Sequence, residues 1–380
     1  MKILHILSGF YPTRGGVETL VTSLSDELLN LHKNDSVFVA PRYWKSRPDE
    51  LFYKSHRVYS IDMLVYRGNK ASVELKGAKA AMKSLNDLRK IFEIEKPDLV
   101  HIHGIFELFS SASLIAKDLK IPIVHHIHGE LPSNFDDRRK EILRTSPCIV
   151  AVSNKVAQNI ALHVPDSKIK VIPNGVSDPG IADEFHSISQ ITFIGRLEVQ
   201  KGLHIALEAL AGFIRRDVNL HLNIVGIGDH LHFQSMAANL GISASVTFHG
   251  RCSQAVTLGI LKSTQLVIVP STSIEGFSLV AAEANFMSLP VIASDVGGLS
   301  NTIIHEVTGL IVPPSDTEKL IEAIAYYIEN PSKAASHGLA GRRRMEQEFS
   351  LVHYAHTMHK LYQKQKTMQE QALDRGQSGL

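Results

Sequence analysis

The chain has 380 residues, too many for one ordinary hydrophobic core, so two domains are expected. Its 44% apolar and 21% charged residues describe a globular protein, and no run approaches the ~20 apolar residues of a membrane span. Two cysteines, Cys148 and Cys252, are too few for a disulfide framework or a cysteine metal cluster, and a cytoplasmic setting with reduced thiols is expected.

The net charge of +2 conceals an asymmetry: Lys and Arg are in excess over residues 1–175, Asp and Glu over the remainder. A basic half suits an anionic partner, and ordinary drift in surface charge explains it as well.

Residues 1–10 hold one lysine and a short apolar run, with Pro12 and Gly15–Gly16 close behind. A buried first strand accounts for this better than a signal peptide. Apolar runs then alternate with helical periods. Strands are predicted at 3–7, 36–40, 99–101, 123–126, 148–152 and 171–172, with helices such as 17–31 and 72–95 between them. The helix at 72–95 carries Lys76, Lys79, Lys83 and Lys90, with Ala81, Leu85, Leu88 and Phe92 for its other face. Such a stripe is either a solvated face or a contact for anionic lipid. Residues 174–190 are rich in turn formers and acids and have no period, which marks a linker.

Strands resume at 191–194, 221–225, 246–249, 266–269, 290–293 and 309–312. The alternation, repeated on both sides of the linker, predicts two α/β domains with doubly wound parallel sheets, at 1–177 and 178–349. Helices are expected at 316–329, 331–347 and 350–365; Pro331 suits a first turn and Ser350 an N-cap. The polar residues 367–380 are expected to fray.

The densest chemistry lies at 270–293, PSTSIEGFSLVAAEANFMSLPVIA. A strand ends, Glu275 and Gly276 occupy a turn, Ser278 can cap a helix, Glu283 sits on that helix, and a second strand follows. In a βαβ unit this places ligands at the carboxyl ends of the strands. Two carboxylates there can reach different hydroxyls of a polyol while helix N–H groups receive an anion. Gly195-Arg196-Leu197 with Lys201-Gly202 puts two cations at another strand end, able to bracket a diphosphate, or forms an ordinary basic turn. Gly226-Ile227-Gly228 lacks the third glycine of a dinucleotide fingerprint, because Leu231 stands there. That loop and His249-Gly250-Arg251 suit a nucleotide. Gly15–Gly16, between the first strand and helix, can admit a phosphate or simply make a turn.

His101, His103, His125, His126 and His128 gather at two strand ends without Asp or Cys at matching spacing, so no metal is expected. His128 is the best candidate for lining a cleft, and a structural histidine is the bland alternative.

Taken in order, these motifs resemble the retaining glycosyltransferases of family 4, the GT-B group. The resemblance runs from Gly15–Gly16 through His128, Ile172-Pro173-Asn174-Gly175-Val176, Gly195-Arg196-Leu197, Lys201-Gly202 and Phe248-His249-Gly250. It is strongest at Pro270-Ser271, Glu275-Gly276-Phe277, Glu283-Ala284 and Pro290-Val291-Ile292-Ala293.

The resemblance implies two facing Rossmann-like domains, with a helix at about 350–366 crossing back to the first. It implies that Arg196 and Lys201 hold the donor diphosphate, Glu283 the ribose and Glu275 the transferred sugar. Backbone at Phe277, Ser278 and Leu279 would face phosphate and sugar. Gly16 would approach the phosphate, and His128 the reacting sugar. Gly15, Gly195, Gly226, Arg251 and Gly276 complete the donor-binding set. Ser177 and Ser278 depart from the family's usual Asp and Gly, and the second bears on which sugar fits.

The expected reaction is transfer of a hexose, with configuration kept, from a UDP- or GDP-sugar to a lipid-linked or growing cell-surface glycan. No metal or organic cofactor is expected, nor any nucleic-acid partner. Peripheral contact with the inner face of a membrane would bring the acceptor. A nucleotide-sugar epimerase, an NAD-linked oxidoreductase and a non-catalytic sugar-nucleotide-binding module are the rival readings.

Overall fold

The computed structural model describes residues 1–10, 15–42, 50–62, 74–104, 107–131, 135–273 and 275–377. Two compact units emerge. One comprises Met1–Val152, Val156–Gly175 and Val352–Leu380, the other Ser153–Lys155 and Val176–Leu351.

The first unit is built on an eight-stranded sheet. Its strands are β1 (Lys2–Ile6), β2 (Asp35–Pro41), β3 (Glu50–Tyr53), β4 (His56–Ile61), β5 (Leu99–His103), β6 (Ile123–Ile127), β7 (Ile149–Ala151) and β8 (Ile169–Val171), in the order β3-β4-β2-β1-β5-β6-β7-β8. All neighbours are parallel except β3 and β4. Apolar runs such as the one through Leu4 and Ile6 form strands here because helices cover both faces, so every position is buried. One face packs Leu4, Ile6, Val100 and Ile102 against Leu88, Phe92 and Phe109.

The second unit has six parallel strands: β9 (Gln190–Ile194), β10 (His221–Val225), β11 (Val246–Gly250), β12 (Leu266–Val269), β13 (Val291–Ser294) and β14 (Leu310–Val312). They lie in the order β11-β10-β9-β12-β13-β14. The crossover from β9 to its two neighbours makes the carboxyl ends of β9, β10 and β12 a switch point, where such sheets bind ligands. The two sheets, each doubly wound, give the GT-B fold that the sequence predicts.

Three differences from the sequence reading have physical reasons. The hairpin of β3 and β4 was not expected. It is an edge element whose exposed Glu50 and Phe52 break the apolar run, and its turn places Lys54 in the left-handed region (φ 54°). The tail does not fray at 367: one helix spans Leu351–Gln377. Lys366 pairs with Asp98 at 2.6 Å, and Gln365 is buried, so packing carries the helix past the point where composition alone would end it. The basic helix starts at Glu74. Leu88 and Phe92 are buried and Lys83 and Lys90 exposed, but Leu85 is exposed as well. The side chains of Lys76, Lys79 and Ala81 lie outside the described residues. Among the described residues no helix is long and apolar enough to cross a membrane.

Candidate active site

In the second unit the loops leaving β9, β10, β11 and β12 are fastened to one another by backbone bonds. Gly195 N–H donates to Val225 O (3.0 Å), Leu197 N–H to Ile227 O (2.8 Å), Gly226 N–H to Gly250 O (2.9 Å) and Thr272 N–H to Gln200 O (2.9 Å). Two glycines permit this closeness. At Gly202 (φ 74°) an added Cβ would lie 1.8 Å from Pro270 O, and at Gly226 (φ 154°) 1.7 Å from Gly195 O. No L side chain fits either place.

This framework brings together Lys201 and Glu275, 74 residues apart, in a direct ion pair. Lys201 closes the 3₁₀ turn Val199–Lys201. The Ser271 hydroxyl donates to the same carboxylate oxygen of Glu275 at 2.8 Å. The main chain of Glu275 is held separately, its carbonyl accepting from Gly298 N–H at 2.5 Å. Both charged groups are thus fixed while remaining partly open, with side-chain exposures of 26% for Lys201 and 15% for Glu275.

Two residues on, Phe277 buries its ring against Phe349, leaving its backbone as the group available to a ligand. Ser278 is the N-cap of the helix Leu279–Phe286, its Oγ accepting from Ala281 N–H at 3.3 Å. The remaining first-turn N–H groups at Leu279 and Val280 have no intrahelical acceptor, so this end of the helix favours negative charge. Glu283 stands on the same helix. Its carboxyl has no ion-pair or hydrogen-bond partner among the described residues, and burial pushes it up to about 7. A carboxyl in that state accepts a pair of neighbouring hydroxyls readily, because they supply the missing donors.

Other predicted residues stand apart from this group. Arg196 is exposed and pairs with Glu198 at 2.7 Å rather than with the Lys201–Glu275 pair. Arg251 is exposed just past β11. In the first unit Gly15 is the N-cap of the helix Gly16–His32, and its N–H donates to Glu18 Oε2 at 2.8 Å. That carboxylate occupies the donor a phosphate would use.

His128 follows β6 and lines a cavity of about 360 Å³ with Ser8, His103, Gly104, Glu130 and Arg139. Burial lowers its pKa to about 3, so it is neutral. It belongs to a layer of imidazoles. His5, His101, His103 and His126 point to one face of β1, β5 and β6, as the pairing of His5 with His101 and of His103 with His126 requires. His125 points to the other face and bonds Ser146 (2.7 Å) and Ser113 (3.1 Å). Two imidazole triads, His5–His101–His103 and His103–His126–His128, have nitrogens close enough to raise the question of a metal. Within the second triad His126 stacks on His128, with ring centroids 4.1 Å apart and planes 24° from parallel.

Sequence reasoning did not single out Ser271 as a partner of Glu275, the Gly297–Gly298 clasp, or His5 and the contacts that join it through His103 to His128. The glycine pair after β13 was a legible signal. The histidine contacts depend on strand register and were not.

Comparison with known proteins gives the family. Residues 14–178 match the family model described as Glycosyltransferase Family 4, and residues 184–344 the model described as Glycosyl transferases group 1. The D-inositol 3-phosphate glycosyltransferase of Rhodococcus erythropolis is 34% identical over 301 residues, covering 69% of this chain and 67% of that protein. This chain is a group 1, family 4 glycosyltransferase. The glycosyltransferase is also similar, end to end, to the O-antigen chain mannosyltransferase C of Escherichia coli, at 26% identity over 95% of this chain and 98% of the relative. Its fold matches the crystal structure of Anabaena Alr3699/HepE in complex with UDP-glucose with a TM-score of 0.76, at 18% identity over 96% and 100% of the two chains. A glycosyltransferase needs an activated sugar and an acceptor, and the residues at the strand ends of the second unit are of the types that would hold the first.

Proposed function

We propose that this glycosyltransferase moves a hexose from a UDP- or GDP-sugar to a glycan or lipid-linked acceptor, keeping the anomeric configuration. The observation that supports it most is the Lys201–Glu275–Ser271 cluster beside the unpartnered Glu283 and the capped helix at Ser278. Lys201 neutralises the departing diphosphate, with Arg196 swinging from Glu198 to join it. Each such charge-assisted contact is worth roughly 1.5–3 kcal/mol. The first-turn N–H groups of the helix Leu279–Phe286 receive phosphate oxygens. Glu283 accepts the ribose hydroxyls and Glu275 those of the transferred sugar. His128 contacts a sugar hydroxyl.

The acceptor hydroxyl attacks the anomeric carbon on the face the diphosphate leaves. The carbon–oxygen bond to phosphate breaks with both electrons going to the phosphate, and the hydroxyl proton passes to a phosphate oxygen. Leaving-group charge is stabilised by fixed cations, and no metal is required. A cell-surface polysaccharide as product is supported by the full-length similarity to an O-antigen enzyme.

A thermal-shift panel of UDP- and GDP-sugars tests the donor, since a ligand that binds only the native protein raises its melting point. One nucleotide sugar should stand out, and transfer to an added glycan acceptor should follow. Conversion of that donor with no acceptor present would make the protein an epimerase, and binding without transfer or slow hydrolysis a non-catalytic module.

A further inference from the structure

Behind His128 the imidazoles form a chain in series. His128 Nε2 lies 3.0 Å from His103 Nδ1, and His103 Nε2 lies 3.1 Å from His5 Nδ1. His5 Nε2 meets the hydroxyls of Ser36 (3.4 Å) and Ser25 (3.5 Å). His5, Ser25 and Ser36 are fully buried and His103 is 2% exposed. Burial first, then neighbouring imidazoles, hold His5 and His103 far below the pH at which histidine normally charges.

A neutral imidazole has one N–H and one lone pair, so three in series are satisfied only when all point the same way. Two senses exist, and the serines decide between them. The hydroxyls of Ser25 and Ser36 meet no other acceptor among the described residues. Were His5 Nε2 protonated, both hydroxyl hydrogens would be buried without a partner, which costs about 1–3 kcal/mol for each. With Nε2 bare, its one lone pair accepts from the nearer hydroxyl, Ser36, at 3.4 Å, and only one hydroxyl hydrogen is left over instead of two. His5 Nδ1–H then donates to His103 Nε2, and His103 Nδ1–H to His128 Nε2. The far end of the chain is His128 Nδ1, a buried nitrogen without a protein partner, on the residue that walls the cavity.

We propose that His5 and His103, anchored on Ser25 and Ser36, are positioning residues that lock His128 in its Nδ1–H tautomer, so that it presents a hydrogen-bond donor to a hydroxyl oxygen of the transferred sugar. The relay rests on the reading of His128 as a sugar-site residue, but the tautomer is measurable without any turnover. Long-range ¹H–¹⁵N spectra of the full chain labelled at histidine should show bare Nε2 and protonated Nδ1 for His5, His103 and His128, unchanged between pH 8 and pH 6.

The Ser25→Ala/Ser36→Ala double variant should let the chain run in both senses. His128 then shows mixed tautomers, and turnover of the donor falls on the order of 10-fold with its KM unchanged. Ser25→Ala/Ser36→Thr, which keeps one hydroxyl, should restore the wild-type spectrum and rate. His103→Phe, similar in volume, should disconnect His128 in the same way, and the serine pair serves if that variant does not fold.

Protonated Nε2 on His128 in the wild-type protein, or a tautomer indifferent to the serines, overturns the relay. A correct tautomer in a protein that transfers no sugar leaves the relay standing and removes the functional reading instead.

Discussion

Between the first sheet and the helices covering it lies a layer of buried imidazoles, kept neutral, in which His5, His103 and His128 bond in series and His101 Nδ1 meets the Tyr362 hydroxyl at 2.7 Å. The second sheet has an apolar core in which the buried Thr192 and Thr264 hydroxyls satisfy each other at 2.6 Å. Its charges appear past the strand ends, as the Lys201–Glu275 pair, or on the helix beyond, as Glu283. One unit therefore hides groups that resist gaining protons. The other holds a carboxyl that resists losing one. Parallel sheets of similar size can thus respond to pH with opposite sign.

The largest expected effect tests that contrast. His5 and His128 are held at about 3 and His125 at about 4, by burial before all else, against about 6.5 in the unfolded chain. For bases with depressed values the stability is fully present above pH 6.5 and drains away as the pH falls toward 4, because only the unfolded chain binds the protons. Three such groups cost on the order of 5 kcal/mol between pH 7 and pH 5. Urea midpoints across that range should drop steeply, and a flat profile would remove the neutral layer.

Next comes Gly202→Ala, which forces a Cβ into Pro270 O and should cost about 3 kcal/mol in denaturant unfolding. Unchanged stability would mean that the β9 and β12 loops do not lock together. Lys201→Ala should follow with ~10²-fold or more lost from turnover, roughly 2.7 kcal/mol of barrier. A rate near that of the wild type would take Lys201 out of the reaction.

The smallest effect concerns Glu283. Its carboxyl is raised by burial to about 7 from 4.5, so stability is lost as pH rises between those values and stays lost above 7. Glu283→Gln should raise the melting point at pH 8 by the equivalent of about 1–2 kcal/mol while weakening donor binding. If it is stabilised at pH 5 just as much, the carboxyl is not the cause.

The parallel strands were legible because a strand buried on both faces must be apolar along its length, as LVIV in β12 is. The edge hairpin was hidden by Glu50 and Arg57, which such strands tolerate on their solvent side. At the candidate site, the residue types and their strand-end positions could be read along the chain, and Lys201 and Glu275 proved to be neighbours. The orientation of Arg196 toward Glu198 could not be read, since an exposed guanidinium chooses its partner in three dimensions. The imidazole chain was equally hidden: HIHG and VHHIH announce histidines, but only the register of β1, β5 and β6 lines up their nitrogens.

The helix Leu351–Gln377 has a consequence for biosynthesis. Its first residue bonds Val176 O in the second unit, yet the residues from Val352 onward belong to the first, where Tyr362 and Lys366 bond His101 and Asp98. On the ribosome, the unit translated earlier must therefore wait with part of its surface uncovered while the later one is made. The usual order, in which the N-terminal domain finishes first, is reversed.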